Sequence, residues 1–96
     1  MLRLDQFLKL ARIVKRRSVA KELCDSGAVR LNGSPVKPSK EVKEGDIIEI
    51  DTLTRFLKVK VVKVPSNKNV SKKEARELCH VIEDRKKDIR DIIDLI

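Results

Sequence analysis

The 96-residue chain is predicted to adopt an α+β fold, and three features carry that reading. Apolar residues recur at helical spacing up to Cys24. After Gly27 the period changes to two, around an Asn32-Gly33 turn. Ser71-Lys72-Lys73-Glu74 then opens a closing helix.

In the first segment, Leu4, Phe7, Leu8, Ala11 and Val14 fall on one helical face, while Arg3, Lys9 and Arg12 point elsewhere. Ser18 suits the N-cap of a second helix, whose stripe is Val19, Ala20, Leu23 and Cys24. Gly27 stands where a left-handed cap ends it.

Val29 and Leu31 alternate with Arg30, and Asn32-Gly33 supplies the positive φ angles of a type I′ hairpin turn returning through Ser34 to Val36. Lys37-Pro38-Ser39 breaks the pattern, and Glu44-Gly45-Asp46 is a turn. Ile48 and Ile50 mark a third strand. A fourth runs from Arg55 to Val64, with Leu57, Val59 and Val61 on one face and Lys58 and Lys60 on the other, until Pro65 ends it.

The domain organisation follows: residues 1–64 form one α+β domain, 65–70 a linker and 71–96 a C-terminal helix. The helix stripe would be Ala75, Leu78, Cys79, Ile82, Ile89, Ile92 and Ile93, with Ala75, Leu78 and Ile82 packing back on the domain.

Charge narrows the function. Lys and Arg number 23 against 15 Asp and Glu, a net charge of +8, which points to a polyanionic partner. Residues 1 to 45 hold 11 basic and 5 acidic side chains, whereas residues 71 to 96 hold 7 of each, so the attraction is built into the N-terminal half.

Phe7 and Phe56 are the sole aromatics, too few for a membrane-surface helix or for a platform that stacks single-stranded bases. No apolar run approaches the roughly 18 residues of a membrane span, and the start Met1-Leu2-Arg3-Leu4-Asp5 is unlike a secretory signal. Folded RNA is the favoured partner, and a membrane is not expected.

Catalytic and metal chemistry find little support. Cys79-His80 with Cys24 offers too few soft ligands for structural zinc. There is no Gly-rich phosphate loop, no second His and no Ser-His-Asp set, so no enzyme activity, cofactor or small-molecule substrate is expected. The two cysteines read as reduced thiols.

The densest basic cluster is Arg12, Lys15, Arg16 and Arg17, at the junction of the two helices, where guanidinium forks and a helix N-terminus converge. The stretches Arg3-Leu4-Asp5-Gln6-Phe7-Leu8, Lys15-Arg16-Arg17-Ser18-Val19-Ala20, Gly27-Ala28-Val29-Arg30-Leu31-Asn32-Gly33, Lys37-Pro38-Ser39 and Val42-Lys43-Glu44-Gly45-Asp46 together resemble the S4 domain over about residues 2 to 51.

That resemblance implies an S4-type α-L module: two N-terminal helices packed on a small, mostly antiparallel sheet, presenting basic side chains to a bent RNA backbone. The implied RNA contacts add Arg3, Lys9, Lys21, Arg30, Asn32, Lys37 and Ser39 to the junction cluster.

The Met-x-Arg-Leu-Asp start and the Lys-Arg-Arg junction are similar to the RqcP-type ribosome quality-control S4 proteins. The resemblance implies a cytoplasmic factor docked on large-subunit rRNA and peptidyl-tRNA of obstructed subunits, while a tailing factor extends the stalled chain. Arg3 and Arg17 match the family's important arginines, and each is expected to be replaceable by Ala with little loss of fold.

The alternatives are a heat-shock-type S4 protein that recycles large subunits, an S4 fragment of a pseudouridine synthase or tyrosyl-tRNA synthetase, and a DNA-binding helix-turn-helix. The hairpin and the lack of an obvious recognition helix disfavour the last.

Overall fold

In the computed structural model, which describes residues 2–66 and 69–87, two helices cover one face of an antiparallel sheet. The elements are α1 (Leu4–Leu10), α2 (Arg17–Asp25), β1 (Val29–Leu31), β2 (Ser34–Pro35), β3 (Ile47–Asp51), β4 (Arg55–Val61), α3 (Lys72–Glu77) and β5 (Cys79–Lys86). The sheet order is β2-β1-β3-β4-β5.

Leu4, Phe7 and Leu8 of α1 are buried, as their spacing predicts. The helix stops at Leu10, earlier than the stripe extending to Val14 suggests. Arg12 takes a φ of 59°, and the backbone N–H groups of Arg12 and Ile13 donate back to the carbonyls of Lys9 and Leu8. This is a Schellman ending with an arginine where glycine is usual, and it turns Ile13 and Val14 back toward the core.

Helix α2 ends in the same motif, with the N–H groups of Gly27 (φ 80°) and Ala28 donating to Cys24 and Leu23 carbonyls. Its start differs from expectation. The N-cap is Arg16 and not Ser18, and no side chain caps it. Arg17 Nε donates to the Asp5 carboxylate at 3.1 Å, a tertiary contact that draws Arg17 into the first turn and overrides the local preference of Ser18.

Asn32 (φ 51°) and Gly33 (φ 85°) form the expected hairpin turn. Strand register aligns the buried rows: Val29 opposite Ile50, Leu31 opposite Ile48, Ile48 opposite Val59 and Ile50 opposite Leu57. These residues meet Phe7, Leu8, Ala20 and Cys24 in one core, each large side chain contributing about 1.5–3 kcal/mol of burial.

The C-terminal helix is the main correction. Ser71 does cap α3, its Oγ accepting the Glu74 amide at 3.2 Å. The helix then ends at Glu77, and Cys79–Lys86 pairs antiparallel with β4 as a fifth strand where four were expected. The stripe of Ala75, Leu78, Cys79 and Ile82 fits helical spacing, but Cys79-His80-Val81-Ile82 can equally extend, and pairing satisfies a β4 edge that would otherwise expose its backbone groups.

Ala75 and Leu78 are buried as predicted, whereas Ile82 stands out at 48% exposure beside a bulge. The remainder of the expected helix, from residue 88 onward and including Ile89, Ile92 and Ile93, lies outside the described residues. Strand β4 stops at Val61, where the next two amides both donate to the Leu78 carbonyl.

Among the described residues, no helix is long and apolar enough to cross a membrane, and no group of three metal-ligating side chains gathers. Cys24 and Cys79 are both free thiols. Burial, and after it the charges of Asp5 and Asp25, push the Cys24 thiol up to about 11; burial alone raises that of Cys79.

Because the fold favours the protonated Cys24, its contribution is complete below pH 9 and is lost as pH climbs toward 11. Iodoacetamide at pH 8 should therefore modify native Cys24 far more slowly than the urea-unfolded chain. Equal rates would show that the thiol is not held in the core.

Candidate nucleic-acid interface

The site is organised by a residue that sequence reasoning left out. Asp5, in the first turn of α1, is only 2% exposed, and all of its acceptor capacity is taken up. Its Oδ1 accepts from the Gln6 backbone amide at 2.8 Å and from Arg3 Nε at 3.2 Å. Its Oδ2 accepts from Arg3 Nη2 at 3.1 Å and from Arg17 Nε at 3.1 Å.

Arg3 thus grips the carboxylate as a two-pronged fork, and Arg17 reaches it from the next helix. The two guanidinium side chains remain 41% and 44% exposed. One buried anion holds two half-exposed cations side by side, from positions 14 residues apart in the chain.

The N-terminus of α1 is fixed by backbone as well. The Leu4 and Asp5 amides donate to the Lys40 and Pro38 carbonyls at 2.8 and 3.1 Å, and the Arg3 amide donates to Gln6 Oε1 at 3.4 Å. The Lys37-Pro38-Ser39 loop therefore lies against the Arg3–Asp5 turn, with Pro38 buried and Lys37 and Ser39 exposed. Arg16 and Arg17 begin α2, whose first turn carries no acidic residue.

The other candidate residues divide into three groups. Lys9, Arg12 and Lys15 are exposed on the rim of an open groove of about 840 Å³ floored by Leu10, Val14 and Val70. Lys21 is exposed on α2, and Arg30 is exposed on β1 opposite Glu49 and Pro35. Asn32 is committed within the chain: its Nδ2 donates to Asp46 Oδ1 at 3.1 Å, and its Oδ1 accepts the Ile47 amide at 2.9 Å.

The expectation that Arg3 and Arg17 can each be replaced by Ala concerns single removals, which leave Asp5 the other guanidinium and the Gln6 amide; removing both strands a buried carboxylate. The signal for Asp5 was present in the sequence as an acid flanking the apolar stripe of Leu4 and Leu8, three residues before Leu8 and two after Arg3.

The S4 domain profile matches residues 2–48. The RQC P-site tRNA stabilizing factor of Helicobacter pylori (strain J99 / ATCC 700824) is 45% identical over 73 residues, covering 76% of this chain and 87% of that protein. The chain belongs to the RQC P-site tRNA stabilizing factor family.

A second member of the family, from Listeria monocytogenes, is 34% identical over 87 residues, 91% of this chain and 92% of its own length. That alignment is too long to stop at the S4 match, so family likeness extends beyond β3. Among solved structures, the trimeric Heat Shock Protein 15 of Vibrio cholerae superposes with a TM-score of 0.75 at 31% identity, over 83% of this chain and 80% of that one. The α+β S4 architecture read from the sequence is thereby established.

Proposed function

We propose that the protein is a non-catalytic RNA-binding factor that docks on the large ribosomal subunit and on its P-site tRNA, and so supports C-terminal tailing of stalled nascent chains. The observation that carries this reading is the pair of half-exposed guanidiniums of Arg3 and Arg17, locked together on Asp5 at the basic end of the helix pair. Guanidinium forks suit phosphate oxygens, and rigid ones suit a folded backbone of fixed shape.

Family membership supports the tRNA and ribosome as partners, since the relatives carry P-site tRNA in their name. Arg16 is exposed next to Arg17, and Lys37 and Ser39 are exposed on the loop whose Pro38 carbonyl accepts the Asp5 amide; Lys9, Arg12, Lys15, Lys21 and Arg30 add further exposed positive groups. Asn32, exposed at the hairpin turn, also ties the hairpin to the start of β3 through Asp46 and Ile47. Working on ribosomes places the protein in the cytoplasm, with a tailing factor as the partner that acts on the same subunit.

The test is sedimentation of the tagged protein with purified large subunits, with and without peptidyl-tRNA. Co-sedimentation should be strongest with subunits that carry the tRNA. Equal recovery on empty subunits would remove the tRNA from the interface, and recovery on neither would remove the ribosome.

A further inference from the structure

We infer that Asp5 is a positioning residue for RNA binding: an acidic group whose removal weakens the grip on a polyanion, although it makes the protein more positive. The inference rests on the functional reading above and assigns the order of that same site to one buried carboxylate.

Asp5 is buried to 2% exposure, whereas both of its partners are half open to solvent. A free arginine on a surface samples many rotamers, and ordering each one on binding costs affinity. Here the ordering is done beforehand. Arg3 Nε and Nη2 are both held, leaving the rest of its guanidinium to face outward, and Arg17 is held through Nε alone.

The clamp joins two helices, so it also fixes the spacing between the two cations. A phosphate pair on a rigid RNA backbone meets them in register. The Gln6 amide on Oδ1 keeps the carboxylate from rotating away. The cost is a negative charge close to incoming phosphates, and burial behind the guanidiniums keeps that charge turned from solvent.

Asp5→Asn separates two expectations of opposite sign. If the long-range field were all that mattered, raising the net charge from +8 by one unit would tighten RNA binding. If Asp5 positions the arginines, affinity for large subunits bearing peptidyl-tRNA should fall roughly tenfold, as two rotamer-rich side chains must then be ordered on binding.

The decisive comparison repeats the substitution in an Arg3→Ala, Arg17→Ala background, where no guanidinium remains to position and Asp5→Asn should leave affinity unchanged. Circular dichroism checks folding at the assay temperature. Should Asn fail to fold, Asp5→Ser, which can still accept the Gln6 amide, replaces it.

In parallel, the NMR order of the Arg17 Nε–H group should be high in the native protein and drop in Asp5→Asn, a readout that needs no RNA. Unchanged or tighter binding by Asp5→Asn, a loss that persists in the double-alanine background, or an unchanged Arg17 order would each overturn the inference. Failure of the native protein to bind subunits, with Arg17 order behaving as stated, would instead overturn the functional reading and leave the clamp intact.

Discussion

Leu78→Ala will lower the unfolding free energy by about 2–5 kcal/mol, the range for truncating a buried leucine, while Ile82→Ala will change it by no more than about 0.5 kcal/mol. Leu78 is 1% exposed and belongs to the core made by α1, α2 and the sheet, and its carbonyl accepts the amides of Val62 and Lys63. Ile82 is 48% exposed on the edge strand. On a helix the two positions would lie four residues apart on one stripe and would be penalised alike. Urea melts of the two variants distinguish the cases, and equal losses would contradict the β5 assignment. A loss near the upper bound would consume much of the stability of a domain this size.

Replacing both Arg3 and Arg17 by Ala will separate folding from binding. Stability should fall by about 3 kcal/mol, because Asp5 is left as a buried charge with a single amide donor; the half-open guanidiniums place the effect at the low end of what breaking a buried pair costs. RNA affinity should fall further, by about 1.5–3 kcal/mol for each arginine, the range for a charge-assisted hydrogen bond. Adding Asp5→Ala to the double variant should restore most of the lost melting temperature and none of the binding, since it removes the stranded charge and returns no cation. Arg17→Lys should rescue binding only in part, keeping the charge and losing the fork. If the triple variant recovered both properties, the arginines would serve the fold and not the RNA.

The parts of the fold legible in the sequence are those set by local period and turn chemistry. Leu4, Phe7 and Leu8 on one helical face, Asn32-Gly33 with two positive φ angles, and the alternation of Leu57, Val59 and Val61 each demand one conformation with little help from the rest of the chain. Strand β5 was hidden because Cys79, Ile82 and Ala75 fit a helical stripe as well as an extended edge, and only the open side of β4 decides between them.

The N-cap of α2 was misplaced for a related reason: Ser18 is the better local cap, yet Arg17 answers to Asp5, 12 residues earlier. The candidate site was half legible. Its cations announce themselves by charge, but the carboxylate that arranges them reads as one acid in an ordinary first helical turn. Asn32 was legible as the hairpin turn residue, whereas the bonds of its side-chain amide to Asp46 and Ile47, 14 and 15 residues on, were not.

The most direct test of the account is the salt dependence of affinity for large subunits bearing P-site tRNA, measured for the native protein, Arg3→Ala and Arg17→Ala. Each phosphate contact contributes roughly −0.7 to −0.9 to the slope of log affinity against log salt. The native protein should give a slope of about −2 or steeper, and each alanine variant a slope shallower by about one contact. A native slope near zero, or one that neither substitution changes, would contradict docking of these arginines on RNA phosphates.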